Sequence, residues 1–419
     1  MHETKMELDQ LILVGIDTDE GAMAADESLL ELKELVETTG AVVSDMLMQK
    51  REYPHPGHYL GKGKIDELKD LISLHNATGI VCDDELSAVQ LRNLSNLLDI
   101  KILDRTLVIL DIFASRASSA EGKVQVELAQ QKYRLSRLSG LGKSLSRLGG
   151  GIGTRGPGEK KLETDRRHIR NRISELEDQL KQIELHRAVL RDKRERNSEI
   201  VISLVGYTNA GKSTLLNCLS DSSVYASNQL FATLDTTARS ISFGNSSKAI
   251  LTDTVGFISK LPHNLIKAFR STLDELKYSD ILLHVVDASS PSRSEHMAVV
   301  YSTLKELSVL DKPIITIYNK MDRDVDLPLP SDIHARKEVK MSALSGEGKD
   351  ILFTAIEGIL QEMRIKISAL IPYNEGALSN MLRQKSEIIS EEYVENGLFI
   401  EAYVNRELYN RLSPYMAKR

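Results

Sequence analysis

The chain has 419 residues, with 54 Lys and Arg against 60 Asp and Glu, a net charge of −6, 41% hydrophobic residues and 27% charged residues. These are the proportions of a folded chain of about three domains, and they exclude wholesale disorder. Two cysteines, Cys82 and Cys218, exclude a disulfide framework and a four-cysteine zinc site. Met1 to Gln10 is charged and lacks the apolar core of a secretion signal, and no apolar run approaches the ~18 residues of a membrane helix. The expectation is an intracellular, soluble protein located in the cytoplasm, with peripheral membrane association left open.

Residues 1–115 alternate apolar runs with amphipathic stretches. Leu11–Ile16 reads as a buried strand, Leu29–Thr38 as a helix and Ala41–Val43 as a strand. Ile65–Leu74 is helical in spacing, Gly79–Cys82 follows as a strand, and helical Leu86–Leu98 leads to Lys101–Leu103, with the apolar run Leu107–Leu110 close behind. This alternation predicts a small parallel α/β domain. Residues 116–197 change character: Val124–Leu138 is helical, and apolar residues at 169, 173, 176, 180 and 183 step by four, three, four and three, a coiled-coil-like seam on a long helix. Between them lies the glycine-rich stretch Gly140–Gly158, too long for an idle loop. Residues 198–364 return to strand–helix alternation. Residues 365–419 read as a small α+β remainder: strand Ile367–Ile371, helix Leu378–Gln384, and a hairpin Tyr393–Phe399 turning at Asn396-Gly397.

Gly206, Tyr207, Thr208, Asn209, Ala210, Gly211, Lys212 and Ser213 spell G-x-x-x-x-G-K-S after the strand Ile200–Val205, and Ser213 and Thr214 open a helix. Backbone N–H groups in such a turn cradle phosphate, the lysine neutralises the outer phosphate oxygens, and the Ser213 hydroxyl ligates Mg²⁺. Strand Lys248–Asp253 ends in Asp253, Thr254, Val255 and Gly256, where Asp253 holds Mg²⁺ through water and the Gly256 N–H meets the γ-phosphate. Strand Pro313–Tyr318 ends in Asn319, Lys320, Met321 and Asp322. A carboxylate at Asp322 accepts from guanine N1–H and N2–H₂, a donor pair that adenine lacks, and Ser342, Ala343 and Leu344 can close over the guanine O6. GTP is the nucleotide these motifs select together.

The loop Phe231, Ala232, Thr233, Leu234, Asp235, Thr236, Thr237 lies between the first two motifs. A switch loop needs one threonine hydroxyl on Mg²⁺, and spacing alone leaves Thr233, Thr236 and Thr237 eligible. Phe257 follows Gly256 where Ras-type GTPases use a glutamine to orient water, so slow intrinsic hydrolysis and an outside stimulus are expected. Asn209 can offer an oxygen to a monovalent cation, K⁺, beside the phosphates, or can simply stabilise the turn.

Residues 116–197 carry 20 Lys and Arg against 11 Asp and Glu, a net of +9 that leaves −15 for the rest of the chain. No acid falls between Glu127 and Glu159. Lys143, Arg147, Arg155, Lys160, Lys161, Arg166 and Arg167 are the candidate RNA contacts, and scarce aromatics argue against base stacking on single strands. Gly151–Gly156 also fits G-x-G-x-x-G, but without a strand before it and with Pro157 after it.

The blocks Gly206–Thr214, Phe231–Asp235 and Asp253–Ile258 resemble those of the HflX GTPases, and Gly149–Glu159 followed by Leu162–Ile169 is similar to the helical subdomain of that family. The resemblance implies a GTPase that binds the large ribosomal subunit, reaches its rRNA near the peptidyl-transferase region with the glycine loop, and splits stalled ribosomes under stress. It implies Thr233 as the switch ligand of Mg²⁺ beside Ser213, with Lys212, Thr233 and Gly256 serving catalysis. No DNA partner and no membrane segment are expected. Two other readings stand beside it: a second nucleotide-dependent activity at a loop with His55, Gly57, His58, Gly61 and Gly63, and a basic arm that contacts tRNA or a protein.

Overall fold

The computed structural model describes residues 8–18, 24–145, 157–196, 199–220, 230–231, 237–243, 247–260, 273–325, 328–404 and 406–416. Ala232–Thr236, including Thr233, Leu234 and Asp235, and the segment Gly151–Gly156 with Arg155 lie outside them, as does Arg147.

The first sheet is all parallel, in the order β2-β1-β3-β4, from β1 (Gln10–Asp17), β2 (Val42–Lys50), β3 (Gly79–Cys82) and β4 (Lys101–Asp104). Strand period decides what each face buries. Leu11 and Leu13 face α1 (Ala25–Thr38) and α4 (Arg105–Arg116), while Ile12, Val14 and Ile16 face α2 (Lys62–His75) and α3 (Ala88–Leu98). The apolar run Leu107–Leu110 is the middle of α4, which Asp104 caps by accepting the Leu107 N–H at 3.0 Å.

Two long helices follow, α5 (Ala120–Leu145) and α6 (Pro157–Arg196). They pack along the expected seam: Leu176 is fully buried and Ile169, Ile173, Leu180 and Ile183 are half-buried. Arg172 grips Glu127 across the pair with two bonds of 2.7 and 2.9 Å, and Lys132 meets Glu177 at 2.8 Å.

The third unit is a six-stranded sheet in the order β10-β9-β8-β5-β7-β6. Its strands are β5 (Ile200–Gly206), β6 (Thr237–Phe243), β7 (Ser247–Asp253), β8 (Ile281–Asp287), β9 (Ile314–Asn319) and β10 (Lys337–Lys340), all parallel except β6 against β7. Parallel strands read as continuous apolar runs because helices cover both faces, and β8 and β9 are buried nearly end to end. The chain closes with an antiparallel sheet, β11-β13-β12, from β11 (Ile365–Ile371), β12 (Glu387–Val394) and β13 (Gly397–Val404).

The first and third units share one apolar cluster. Leu29, Leu32, Ile109 and Phe113 of the N-terminal sheet's helices run continuously into Tyr207, Phe231, Val255, Phe257 and Ile258. Phe113 meets Phe231 edge to face at 4.7 Å.

Candidate nucleotide site

The turn Tyr207–Gly211 joins the end of β5 to α7 (Lys212–Leu219). Gly211 has φ +97°, and a Cβ there would lie 2.3 Å from the Asn319 amide nitrogen, so this position takes only glycine. Asn209 shares the left-handed conformation at φ +58°. Lys212 donates to the Gly206 and Tyr207 carbonyls at 3.0 and 2.8 Å and is 7% exposed. Burial lowers its ammonium to about 8, against the pull of the Asp253 carboxylate.

Parallel register sets Asp253, the last residue of β7, beside Leu204. Ser213 then donates to the Asp253 carboxylate at 2.9 Å. A hydroxyl and a carboxylate side by side at the mouth of a phosphate turn are hard oxygen donors that fit Mg²⁺, with phosphate and water filling its other positions. Thr254 turns inward onto the Leu204 carbonyl at 2.6 Å, and Val255 is buried in the shared cluster. A Cβ at Gly256 would stand 3.0 Å from the Lys212 ammonium and from Thr208, so a side chain there would have to push the turn aside. Phe257 is buried and pairs by backbone with the turn: its N–H donates to the Gly206 carbonyl at 3.1 Å and its carbonyl accepts from Thr208 at 2.8 Å. Its ring therefore fills the interface and offers nothing to a water molecule.

One residue joins the phosphate side to the base side. The Asn319 amide donates to the Ala210 carbonyl at 2.9 Å, and its oxygen accepts the Ala343 N–H at 2.8 Å. Lys320, at φ +65°, reaches Asp287 at the end of β8 at 2.7 Å. Ser342 donates to Asp322 at 2.5 Å, and that bond holds the Asp322 carboxyl below its ordinary range. Ser342 and Ala343 are buried, whereas Leu344 is 80% exposed. Thr214 is half-buried within α7.

Tyr207 and Phe231 face the N-terminal unit, not the turn's mouth. Tyr207 stacks on His296 with centroids 3.8 Å apart, donates to Glu31 of α1 at 2.5 Å, and accepts the Ser259 N–H at 2.8 Å. Glu31 in turn pairs with Arg105, which also holds Asp83 at 2.6 Å; Asp83 pairs with Lys260, and Lys260 reaches Asp84 at 2.9 Å. Burial pushes the Glu31 carboxyl up. At Asp83 burial is outweighed by Arg105 and Lys260, and the carboxyl lies below its ordinary range. Sequence reading missed this ring. Its one visible trace was the acid pair Asp83-Asp84 directly after β3, at the carboxyl edge between strands that lead in opposite directions, where open α/β sheets place ligands.

Of the candidate RNA contacts, Arg167 is exposed, while Arg166 donates to the Leu138 carbonyl at 2.7 Å and helps close the helix pair. The side chains of Lys143, Lys160 and Lys161 lie outside the described residues. In the loop with two histidines, the Gly57 and His58 N–H groups donate to His55 Nδ1 at 3.1 and 3.2 Å, and Gly61 donates to Gln49 at 2.9 Å. These donors are already engaged within the fold, and Gly63 lies in α2.

Three family models match the chain: a GTP-binding GTPase N-terminal region over residues 26–114, a GTP-binding GTPase middle region over 116–194, and a 50S ribosome-binding GTPase over 201–320. The GTPase HflX of Lacrimispora saccharolytica is 53% identical over 405 residues, covering 97% of this chain and 96% of that protein. The GTPase HflX of Caldanaerobacter subterraneus subsp. tengcongensis is 47% identical over 416 residues, covering 99% and 96%. That of Escherichia coli is 40% identical over 374 residues, covering 88% of each.

Proposed function

This chain belongs to the HflX family of GTPases, and from that footing we propose that it is a GTP-driven switch on the large ribosomal subunit that separates ribosomes stalled under stress. It hydrolyses GTP to GDP and phosphate. In this reading residues 1–115, 116–197, 198–364 and 365–419 are its four working segments, and it acts in the cytoplasm.

The nucleotide part of the reading is carried by the Asn319 bridge, which ties the phosphate turn to the base loops, and its ribosomal part by the match of residues 201–320 to a 50S ribosome-binding GTPase. The Asp322 carboxylate takes the guanine N1–H and N2–H₂, with Ala343 near O6. Lys212 and the backbone N–H groups of Asn209–Ser213 hold the β- and γ-phosphates, and the Gly256 N–H meets the γ-phosphate. Ser213 and Thr233, with Asp253 through water, would hold Mg²⁺, which supplies charge neutralisation at the phosphates. Each contact favours charge as it shifts toward the leaving phosphate, so the chain positions and stabilises while Phe257 leaves the attacking water unoriented. The ribosome then supplies what Phe257 lacks. Arg167, with Lys143, Arg147, Arg155, Lys160 and Lys161, contacts rRNA near the peptidyl-transferase region; Arg166 acts from between the helices. Asn209 offers its amide oxygen to K⁺, so hydrolysis runs faster in K⁺ than in Na⁺, and equal rates remove that role.

Sedimentation with purified ribosomes tests the whole. The chain with a non-hydrolysable GTP analogue pellets with the large subunit and with GDP does not. Absence of nucleotide-dependent association overturns the proposal.

A further inference from the structure

The segment after Gly256 is gripped from two sides. Phe257 pairs its backbone with the phosphate turn at Gly206 and Thr208. The next two polar residues are held by the N-terminal unit. The Ser259 N–H donates to the Tyr207 hydroxyl at 2.8 Å, and that hydroxyl donates in turn to Glu31 of α1 at 2.5 Å. The Lys260 ammonium pairs with Asp83 and reaches Asp84 at 2.9 Å. Arg105 holds both Glu31 and Asp83, and Tyr59 donates to Asp84 at 2.6 Å, so each carboxylate is itself fixed from within the N-terminal unit. The carboxyl edge of β3, where an open α/β sheet offers room for a ligand, thus receives a lysine of the GTPase unit. Lys260 has φ +55°, a left-handed conformation that a residue with a side chain keeps only where its surroundings hold it.

The consequence falls on Gly256. A Cβ there would stand 3.0 Å from the Lys212 ammonium, so the two groups that meet the γ-phosphate in the proposed function are already neighbours. Ser259 and Lys260 follow only three and four positions later, so anchoring them restricts where the Gly256 N–H can lie. A segment held in place beforehand loses little further freedom when the γ-phosphate arrives. GDP has no γ-phosphate and makes no demand on Gly256. We propose that the N-terminal unit positions Gly256 for GTP. Glu31, acting through the Tyr207 hydroxyl, and Asp83 and Asp84, acting through Lys260, are positioning residues for the γ-phosphate. The inference rests on the GTP reading of the site. By linkage, GTP favours the docked arrangement of the two units as much as docking favours GTP.

Two variants of the full chain separate positioning from packing. Lys260→Met removes the ammonium and keeps the stem, while Asp83 and Asp84 retain Arg105 and Tyr59 as partners. Tyr207→Phe removes one hydroxyl and keeps the ring on His296. Affinities for a fluorescent non-hydrolysable GTP analogue and for fluorescent GDP are measured together with the single-turnover hydrolysis rate. Each variant should weaken the analogue about threefold to tenfold, slow hydrolysis by a similar factor, and leave GDP affinity within about twofold of the wild type. Glu31→Ala should weaken the analogue likewise, and adding it to Tyr207→Phe should cost nothing more, because the two side chains make one contact. Equal losses for both nucleotides would mean a merely structural role. Unchanged or tighter analogue binding in both single variants would mean that the segment is not held for the γ-phosphate, and additive losses in the double variant that Glu31 does not act through Tyr207. Each of these results overturns the proposal while the GTP reading stands. A wild type that binds neither guanine nucleotide sinks that reading and the proposal with it.

Discussion

Asp322 accepts the Ser342 hydroxyl and so stays ionised below the ordinary carboxylate range. Its contribution to base recognition is therefore present at neutral pH and is lost only as pH falls through that lowered value. Asp322→Asn exchanges an acceptor for a donor facing guanine N1–H. Affinity for GDP should fall on the order of 10- to 100-fold, with a gain for xanthosine diphosphate. Competition against a fluorescent guanine nucleotide measures both, and unchanged guanine affinity refutes the assignment. Lys212 makes a second prediction. Burial sets its ammonium at about 8 in the free protein, and bound phosphate raises it. Nucleotide affinity should then be flat below that pH and weaken by about tenfold per unit above it. A titration series from neutral to alkaline pH that stays flat throughout denies Lys212 its phosphate role.

The helix pair α5–α6 was legible in outline because a spacing of four and three residues leaves one apolar stripe on a helix. The stripe on α6 does less than its length suggests: among its described residues only Leu176 is fully buried, and cross-helix pairs such as Arg172 with Glu127 close the remainder. Those pairs are exposed and contribute little to stability. Leu176→Ala should accordingly cost about 2–5 kcal/mol and loosen this element alone. Hydrogen exchange should rise along α5 and α6 while the G-domain sheet keeps its protection; uniform exchange throughout would show that the seam does not hold the arm. The basic composition of the arm was equally plain, but composition does not say where a charge points. Arg137 turns inward onto Asp104 and over the Tyr133 ring, and Arg166 onto a backbone carbonyl, while Arg167 remains in solvent.

Across the whole molecule, the N-terminal and GTPase units form one body through an apolar cluster and a ring of charged groups centred on Arg105, which is 1% exposed. A buried guanidinium forked between Glu31 and Asp83 matters most by its absence, since removing it strands two carboxylates away from water. Arg105→Ala should destabilise the chain by about 3–5 kcal/mol. Urea unfolding followed by circular dichroism reads this as a lower midpoint, and an unmoved midpoint would mean that water already reaches the pair. The ring also ends on Tyr207 and on Ser259-Lys260, which flank the two segments that contact phosphate in the proposed site.

By itself the sequence determined the element order, the nucleotide motifs and the charge asymmetry between +9 in residues 116–197 and −15 elsewhere. These depend on short-range chemistry: a glycine where the backbone must turn left-handed, a carboxylate at a strand end, an apolar residue every third or fourth position. Tertiary structure alone decided that the side chains of Tyr207 and Phe231 turn toward the neighbouring unit, that Arg105 is a buried cation, and that α1 borders an open cleft beside the turn. Each depends on residues separated by scores of positions in the chain, such as Glu31 and Tyr207. Their meeting is fixed by how two sheets bury a common apolar face, and periodicity within either sheet carries no trace of it.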